Sequence, residues 1–206
     1  MSRRWFGLTA GLAVVLLAAC SSSNNSANTS PASSSTASAS AAATATASAV
    51  ATTTDPCQLV TMGEASSLTG VTYGAGKTET TSGGGKLCFY GAQTTDVFEV
   101  FVGIASDAAT AQSQWDAKKA EVEAQLNSTA KSHLTVNVAD TNITGADRAA
   151  AGTFSGSLNG VTLSGTGVYL LKGPAFVAIV DIAANHGVPT ISAMEAQAST
   201  AVSRLP

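Results

Sequence analysis

The chain has 206 residues and a formal net charge of −3, with 11% charged and 5% aromatic side chains. Ten lysines and arginines without a basic run argue against a nucleic-acid partner and against electrostatic docking on anionic lipid. Three cysteines and two histidines, none clustered at ligand spacing, leave no basis for expecting a metal or other cofactor.

The first residues have three parts. Arg3 and Arg4 form a basic head, residues 7–19 are uncharged and mostly apolar, and Leu17-Ala18-Ala19-Cys20 closes the segment. An apolar stretch of this length spans about 20 Å as a helix, against about 30 Å for a bilayer core. It reads as the core of a signal peptide and not as a lasting membrane helix. The closing tetrapeptide resembles a bacterial lipobox, with an aliphatic residue, two small residues and a cysteine. Residues 1–19 are then a cleaved signal, and Cys20 carries a diacylglycerol and becomes the first residue of the mature chain. Two or three acyl chains hold a protein on a membrane for long periods. The alternative is an ordinary secretory signal with a cysteine at the cut. Ser2-Arg3-Arg4-Trp5-Phe6 also resembles a twin-arginine export signal, although Gly7 and Leu8 stand where Leu and Lys are usual. General secretory and twin-arginine routes both stay open.

Residues 21–54 hold 11 Ser, 11 Ala, 7 Thr, 3 Asn, one Pro and one Val, and no charge. Such a composition cannot bury enough apolar surface to offset chain entropy, so a disordered linker is expected over residues 20–54. Its root-mean-square reach is roughly 30 Å. It suits a spacer holding the following domain off the extracytoplasmic face of the membrane, and its Ser/Thr content permits glycosylation.

Residues 55–206 have the size of one domain. Without Arg3 and Arg4 the net charge becomes −5. Cys57 and Cys88 remain after lipidation, and an exported compartment permits a disulfide between them. It would close a loop of about 30 residues, contributing roughly 3–4 kcal/mol. Two free buried thiols are the alternative.

In chain order, Asp55-Pro56-Cys57-Gln58 reads as a capped first helical turn. Thr61-Met62-Gly63-Glu64 is a capping box opening a short helix that stops at Gly70. Residues 73–85 read as a glycine-rich loop. Strands are expected at 87–90 and 97–104, with Phe98, Val100, Val102 and Ile104 on one face. Ser106 is expected to cap a helix reaching about residue 130. Its apolar stripe is Ala108, Ala111, Trp115, Val122 and Leu126, with Lys118, Lys119, Glu121 and Glu123 on the solvated side. A short strand at 136–139 follows. Asn159-Gly160 signals a hairpin between strands 149–158 and 161–171. Gly173-Pro174 turns the chain into a strand at 175–183, where Phe176, Ala178, Val180 and Ile182 read as the core face. Pro189-Thr190 opens a last helix with the stripe Ile191, Met194, Ala198, Val202 and Leu205. The expected fold is α+β. An antiparallel sheet of about six strands carries the long helix and the C-terminal helix, and a disulfide ties the short N-terminal helix.

Asp55-Pro56-Cys57 directly after a Ser/Thr/Ala linker resembles a family of actinobacterial lipoproteins built on a domain of unknown function. A short helix ending in Gly, a second cysteine about thirty residues on, the aromatics Phe89 and Tyr90 after Cys88, and the closing Ser203-Arg204-Leu205-Pro206 add to the likeness. It covers about residues 55–206 and is specific mainly over 55–90. It implies an envelope lipoprotein with a disulfide and carries no catalytic residues to transfer. Some small lipoproteins of this kind look like the fold shared by nuclear-import and photosystem accessory proteins, an antiparallel sheet between helices. That likeness concerns fold and not activity.

Catalytic signals are sparse. No nucleophile elbow or phosphate-binding loop occurs. Gly74-Ala75-Gly76 and Gly83-Gly84-Gly85 read as loop glycines. His133 lies between a helix and a strand, and His186 in the turn Asn185-His186-Gly187. Asp181 interrupts an apolar run and reads as lying opposite the core face with Val177 and Ile179. Paired with His186 it would make a catalytic couple; alone it is a carboxylate on a partly covered sheet face. Trp115 reads as core or as the marker of a binding groove, and Tyr73, Tyr90 and Tyr169 as too scattered to define a pocket. Two functions follow. One is a non-catalytic, membrane-anchored envelope module binding a protein, lipid or glycan. The other is an extracytoplasmic hydrolase with a site assembled from distant residues. An apolar cavity between sheet and helices would favour a lipophilic ligand, and an exposed apolar patch a protein.

Overall fold

The computed structural model describes residues 53–91, 96–129, 134–158 and 161–206. The expected signal, Cys20, the linker up to residue 52, His133 and the Asn159-Gly160 turn lie outside these residues.

The N-terminal helices form where their caps demand. In α1 (Pro56–Leu59) the Asp55 carboxylate accepts from the Cys57 N–H and Pro56 opens the turn. In α2 (Met62–Thr69) Thr61 and Glu64 complete the capping box, and Gly70 ends the helix at φ 73°.

Seven strands follow rather than six: β1 (Lys77–Thr80), β2 (Lys86–Tyr90), β3 (Val97–Ile104), β4 (Leu134–Thr141), β5 (Arg148–Leu158), β6 (Val161–Lys172) and β7 (Ala175–Ala183). They form one antiparallel sheet in the order β1-β2-β3-β7-β6-β5-β4. The extra strand, β1, lies inside the expected glycine loop. All four of its side chains are exposed, so no apolar alternation marks it. As an edge strand it carries Lys77 and Glu79, which discourage pairing with another chain. Leu158 pairs with Val161, as a two-residue connection requires.

Helices cover both faces. On one, α1, α2 and α4 (Ile191–Arg204) pack against Val100, Val168, Leu170, Val177 and Ile179. The α4 stripe falls as expected at Met194, Ala198, Val202 and Leu205, while Ile191 is exposed. On the other, α3 (Ala108–Thr129) sets Ala111 and Trp115 on Ala150 and Leu171, with Phe176 and Tyr169 alongside. Its cap is Asp107 and not Ser106, since Asp107 Oδ1 accepts from the Thr110 N–H at 2.7 Å. Ala108 is exposed, and the Val122 and Leu126 side chains lie outside the described ones.

Two faces of β7 are therefore covered, and the expected assignment is reversed. Val177, Ile179 and Asp181 face the larger core, and Phe176 faces α3. The same sidedness holds in β3, where Phe98, Val100 and Val102 enter the larger core, but Ile104 ends the strand 55% exposed.

Cys57 and Cys88 form the expected disulfide, with Cα atoms 5.3 Å apart. It ties α1 to β2. Gly76 packs against it: a Cβ there would lie 2.7 Å from Cys88 Sγ and 2.9 Å from Cys57 Sγ.

Candidate functional site

Two places collect the chemistry-bearing residues. The first joins residues distant in sequence at the start of β3. Phe98 and Thr166 flank Asp181 in the sheet register, and the Asp181 side chain is 0% exposed. His186 Nε2 lies 3.1 Å from Asp181 Oδ2, so the suspected pair does form. Its other nitrogen, Nδ1, lies 3.1 Å from Asp96 Oδ1, off the line of a good hydrogen bond. Asp96 also accepts from the N–H groups of Ala184 and Asn185, at 2.8 and 2.9 Å.

Burial pushes the Asp181 carboxyl above its ordinary range, opposed by the charge and hydrogen bond of His186. Asp96 is held below its ordinary range; burial is the largest single influence and opposes this, but the hydrogen bonds from Asn185 and Ala184, with the His186 ring alongside, together outweigh it. Tyr73, packed with Tyr90 and Phe98 at ring separations of 6.2 and 6.4 Å, is pushed up to about 12 by burial and, secondarily, by the two aspartates. Tyr73 and Tyr90 thus meet, although Tyr169 lies across the sheet.

The chemistry open to this cluster is limited by its geometry. A general base needs one ring nitrogen facing a substrate. In His186 each nitrogen faces a carboxylate, and only a doubly protonated ring offers a donor to both. Asp96 meanwhile holds the backbone of the turn that follows β7. The arrangement pins that turn to β3. Sequence reasoning passed over Asp96; its position directly before an apolar strand, where an aspartate can bind local backbone N–H groups, was the available signal.

The second place is a cleft of about 260 Å³ between α3 and the sheet, at the end where the β1–β2, β6–β7 and β3–α3 connections meet. Trp115, Phe101 and Phe176 form its aromatic wall, with ring separations of 6.0 Å for Trp115–Phe176 and 6.2 Å for Phe101–Phe176. Leu171, Ala111 and Ile104 extend the apolar lining. Gly83, Gly84 and Gly85 close one side, so these loop glycines do border a binding-sized space. Gly85 lies flat against Phe101; a Cβ there would run into the ring. Behind Trp115 a small void reaches Tyr169 and Val138. Trp115 is 2% exposed, and its indole N–H has no hydrogen-bond partner among the described residues. The Arg148 guanidinium stands over the indole, 5.6 Å from the centroid, held there by Asp116 at 2.9 Å.

The rim is polar on one side. Among the described residues Lys86 is the only charged one bordering the cleft; its pairing with Val102 sets its side chain on the face of the larger core, and it makes no ion pair with any described residue. Gln114, Thr54 and Thr81 supply the remaining polar side chains.

Among the described residues no group of three or more His, Cys, Asp or Glu is arranged to hold a metal ion. No helix among them is long and apolar enough to cross a membrane. Comparison with protein-family models, with curated proteins and with solved structures gave no match to this chain.

Proposed function

We propose that this protein is a lipid-anchored envelope protein whose globular part is a non-catalytic binding module, and that a lipophilic ligand sits in the cleft between the sheet and α3. The observation that carries the reading is the cleft itself: an aromatic wall, a lining more apolar than polar and about 260 Å³ of space. Ligand sites are typically concave, mostly apolar and supplied with a few placed polar groups. An apolar cavity of about 150 Å³ takes up benzene, a six-carbon ligand, which scales to roughly ten carbons here. Burying ten methylenes contributes about 8 kcal/mol. Association costs of at least about 4 kcal/mol leave at most about 4 kcal/mol, a Kd of about a millimolar or weaker. The sequence features at residues 1–54 support placing the module outside the cytoplasm, anchored at Cys20 and spaced from the membrane by the linker.

A hydrolase built on Asp181 and His186 has the contact but lacks the free ring nitrogen that base catalysis requires. The cleft reading makes a direct demand. Trp5 and Trp115 are the only tryptophans, so a full-length chain carrying Trp5→Phe reports on the cleft alone. Decanol, a neutral ten-carbon ligand, should change its emission progressively as its concentration rises toward its solubility limit. Ala111→Phe, which fills the cleft from α3, should abolish the change. A wild-type response that is absent, or one unaltered by Ala111→Phe in a folded protein, would remove the reading.

A further inference from the structure

We infer that the protein self-associates through β4: two copies pair this edge strand antiparallel about Asn137, so that their sheets continue into one another.

The two edges of the sheet are built differently. β1 is four residues long and carries Lys77 and Glu79, a short charged form that discourages pairing. β4 is eight residues long, and all eight pair with β5 in one unbroken register, from Leu134 with Gly156 to Thr141 with Ala149. On its other side no strand lies beside it among the described residues. Every second residue of such an edge turns its N–H and C=O groups outward. The strand holds no lysine, arginine or proline, and its register shows no bulge. Its one charge, Asp140, is taken up by Lys119 of α3 at 2.7 Å. Without those guards the edge is a template for another strand.

The strand is also complementary to itself. A two-fold axis through Asn137, perpendicular to the sheet, keeps like faces together. It sets Asn137 beside its own copy, Val136 of one chain beside Val138 of the other, Thr135 beside Ala139 and Leu134 beside Asp140. No carboxylate meets a carboxylate, and the two Val136–Val138 contacts are β-branched pairs of the kind that stabilise a sheet. Val138 lies on the α3 side, packed against the Trp115 cluster. Thr135, Asn137 and Ala139 are exposed on the opposite side, which leaves that side of the edge open to a second chain. A foreign strand would have to match this alternation, whereas a second copy matches it by symmetry. The contact is one strand wide, narrower than the ~1,200 Å² of a stable interface, so the dimer is weak and reversible. Two copies held on one membrane meet at a raised effective concentration.

Sedimentation equilibrium of the full-length chain, in a mild detergent that covers the apolar residues 7–19, tests this. The wild type should pass from monomer toward dimer between roughly 10 µM and 1 mM, the range of a narrow interface. Asn137→Lys and Asn137→Glu each set like charges across the axis and should weaken association by about fivefold. Asn137 is exposed, so both variants should keep the wild-type urea midpoint. An equimolar mixture of the two variants should regain the wild-type association, because opposite charges then face each other. A wild type that stays monomeric at roughly 1 mM would overturn the inference. So would association that neither variant weakens, or a loss that mixing does not restore.

Discussion

Arg204, in the last turn of α4, grips the carboxylate of Glu64 in α2 with both arms of its guanidinium, Nη2–Oε1 at 2.6 Å and Nη1–Oε2 at 2.8 Å. The same Glu64 closes the capping box by accepting from the Thr61 N–H at 2.8 Å. Arg204 also donates to the Leu59 carbonyl at 2.8 Å. One bidentate pair thereby fastens the C-terminus of the chain to both N-terminal helices.

The pair sets an acid limit. Hydrogen bonding to Arg204 is the main reason that Glu64 is lowered to about 2. A carboxyl lowered by folding contributes stability at pH values above its unfolded pKa, and that contribution is lost as pH falls from about 4.5 through about 2. Glu64→Gln should cost on the order of 1–2 kcal/mol at pH 7, after allowance for solvent screening of a partly exposed pair. By pH 2 the variant and the wild type should unfold at the same urea concentration. A gap that stays constant between pH 7 and pH 2 would contradict the assignment.

Glu99 has the opposite sign. It lies 8% exposed on β3, with Phe89 and Val180 as its register partners, and burial raises it to about 7. A carboxyl raised by folding holds its proton more tightly in the native state, so stability falls as pH rises from about 4.5 through about 7. Glu99→Gln should therefore stabilise the protein by about 2–3 kcal/mol at pH 8, with the advantage shrinking toward pH 4.5. Thermal unfolding across that range measures it; a destabilised variant at pH 8 would show that Glu99 is paired and not stranded.

Removing the ring between the two aspartates should be expensive. His186→Ala leaves the fully buried Asp181 carboxyl without its hydrogen-bond partner, at a cost of about 1–3 kcal/mol. Adding Asp181→Asn should recover part of that loss, since an amide carries no charge to strand. Urea denaturation of the two single variants and the double variant forms a cycle. Strict additivity would mean that the contact carries no coupling. Binding of decanol should be indifferent to all three variants.

Lipidation can be read directly in cells. Cys20→Ala should abolish incorporation of a fatty-acid analogue and release the protein from the membrane fraction. Equal labelling of the variant and the wild type would refute an anchor at Cys20.

Much of the fold was legible because its signals are local. Asp55-Pro56, the Thr61–Glu64 capping box and Thr190 each satisfy backbone N–H groups within a turn, so a short peptide contains the whole interaction. The β5–β6 hairpin is read from its two-residue spacing and alternation, and the disulfide from a compartment inference that leaves only two cysteines.

What the tertiary structure alone decided depends on which surfaces meet. Alternation in β7 has a period but no sign: with helices on both faces, every position but Asp181 is apolar or small, and only the docking of α4 on one face and α3 on the other tells Val177 from Phe176. The all-exposed β1 is a strand because β2 offers it hydrogen bonds, a cause that lies outside its own residues. Asp96 reaches His186 across 90 positions, and the cleft takes its walls from β3, α3 and the β6–β7 turn. A binding site of this kind is a space between elements. The residues around it are chosen by how the elements dock, and a single chain read in order carries no record of that distance.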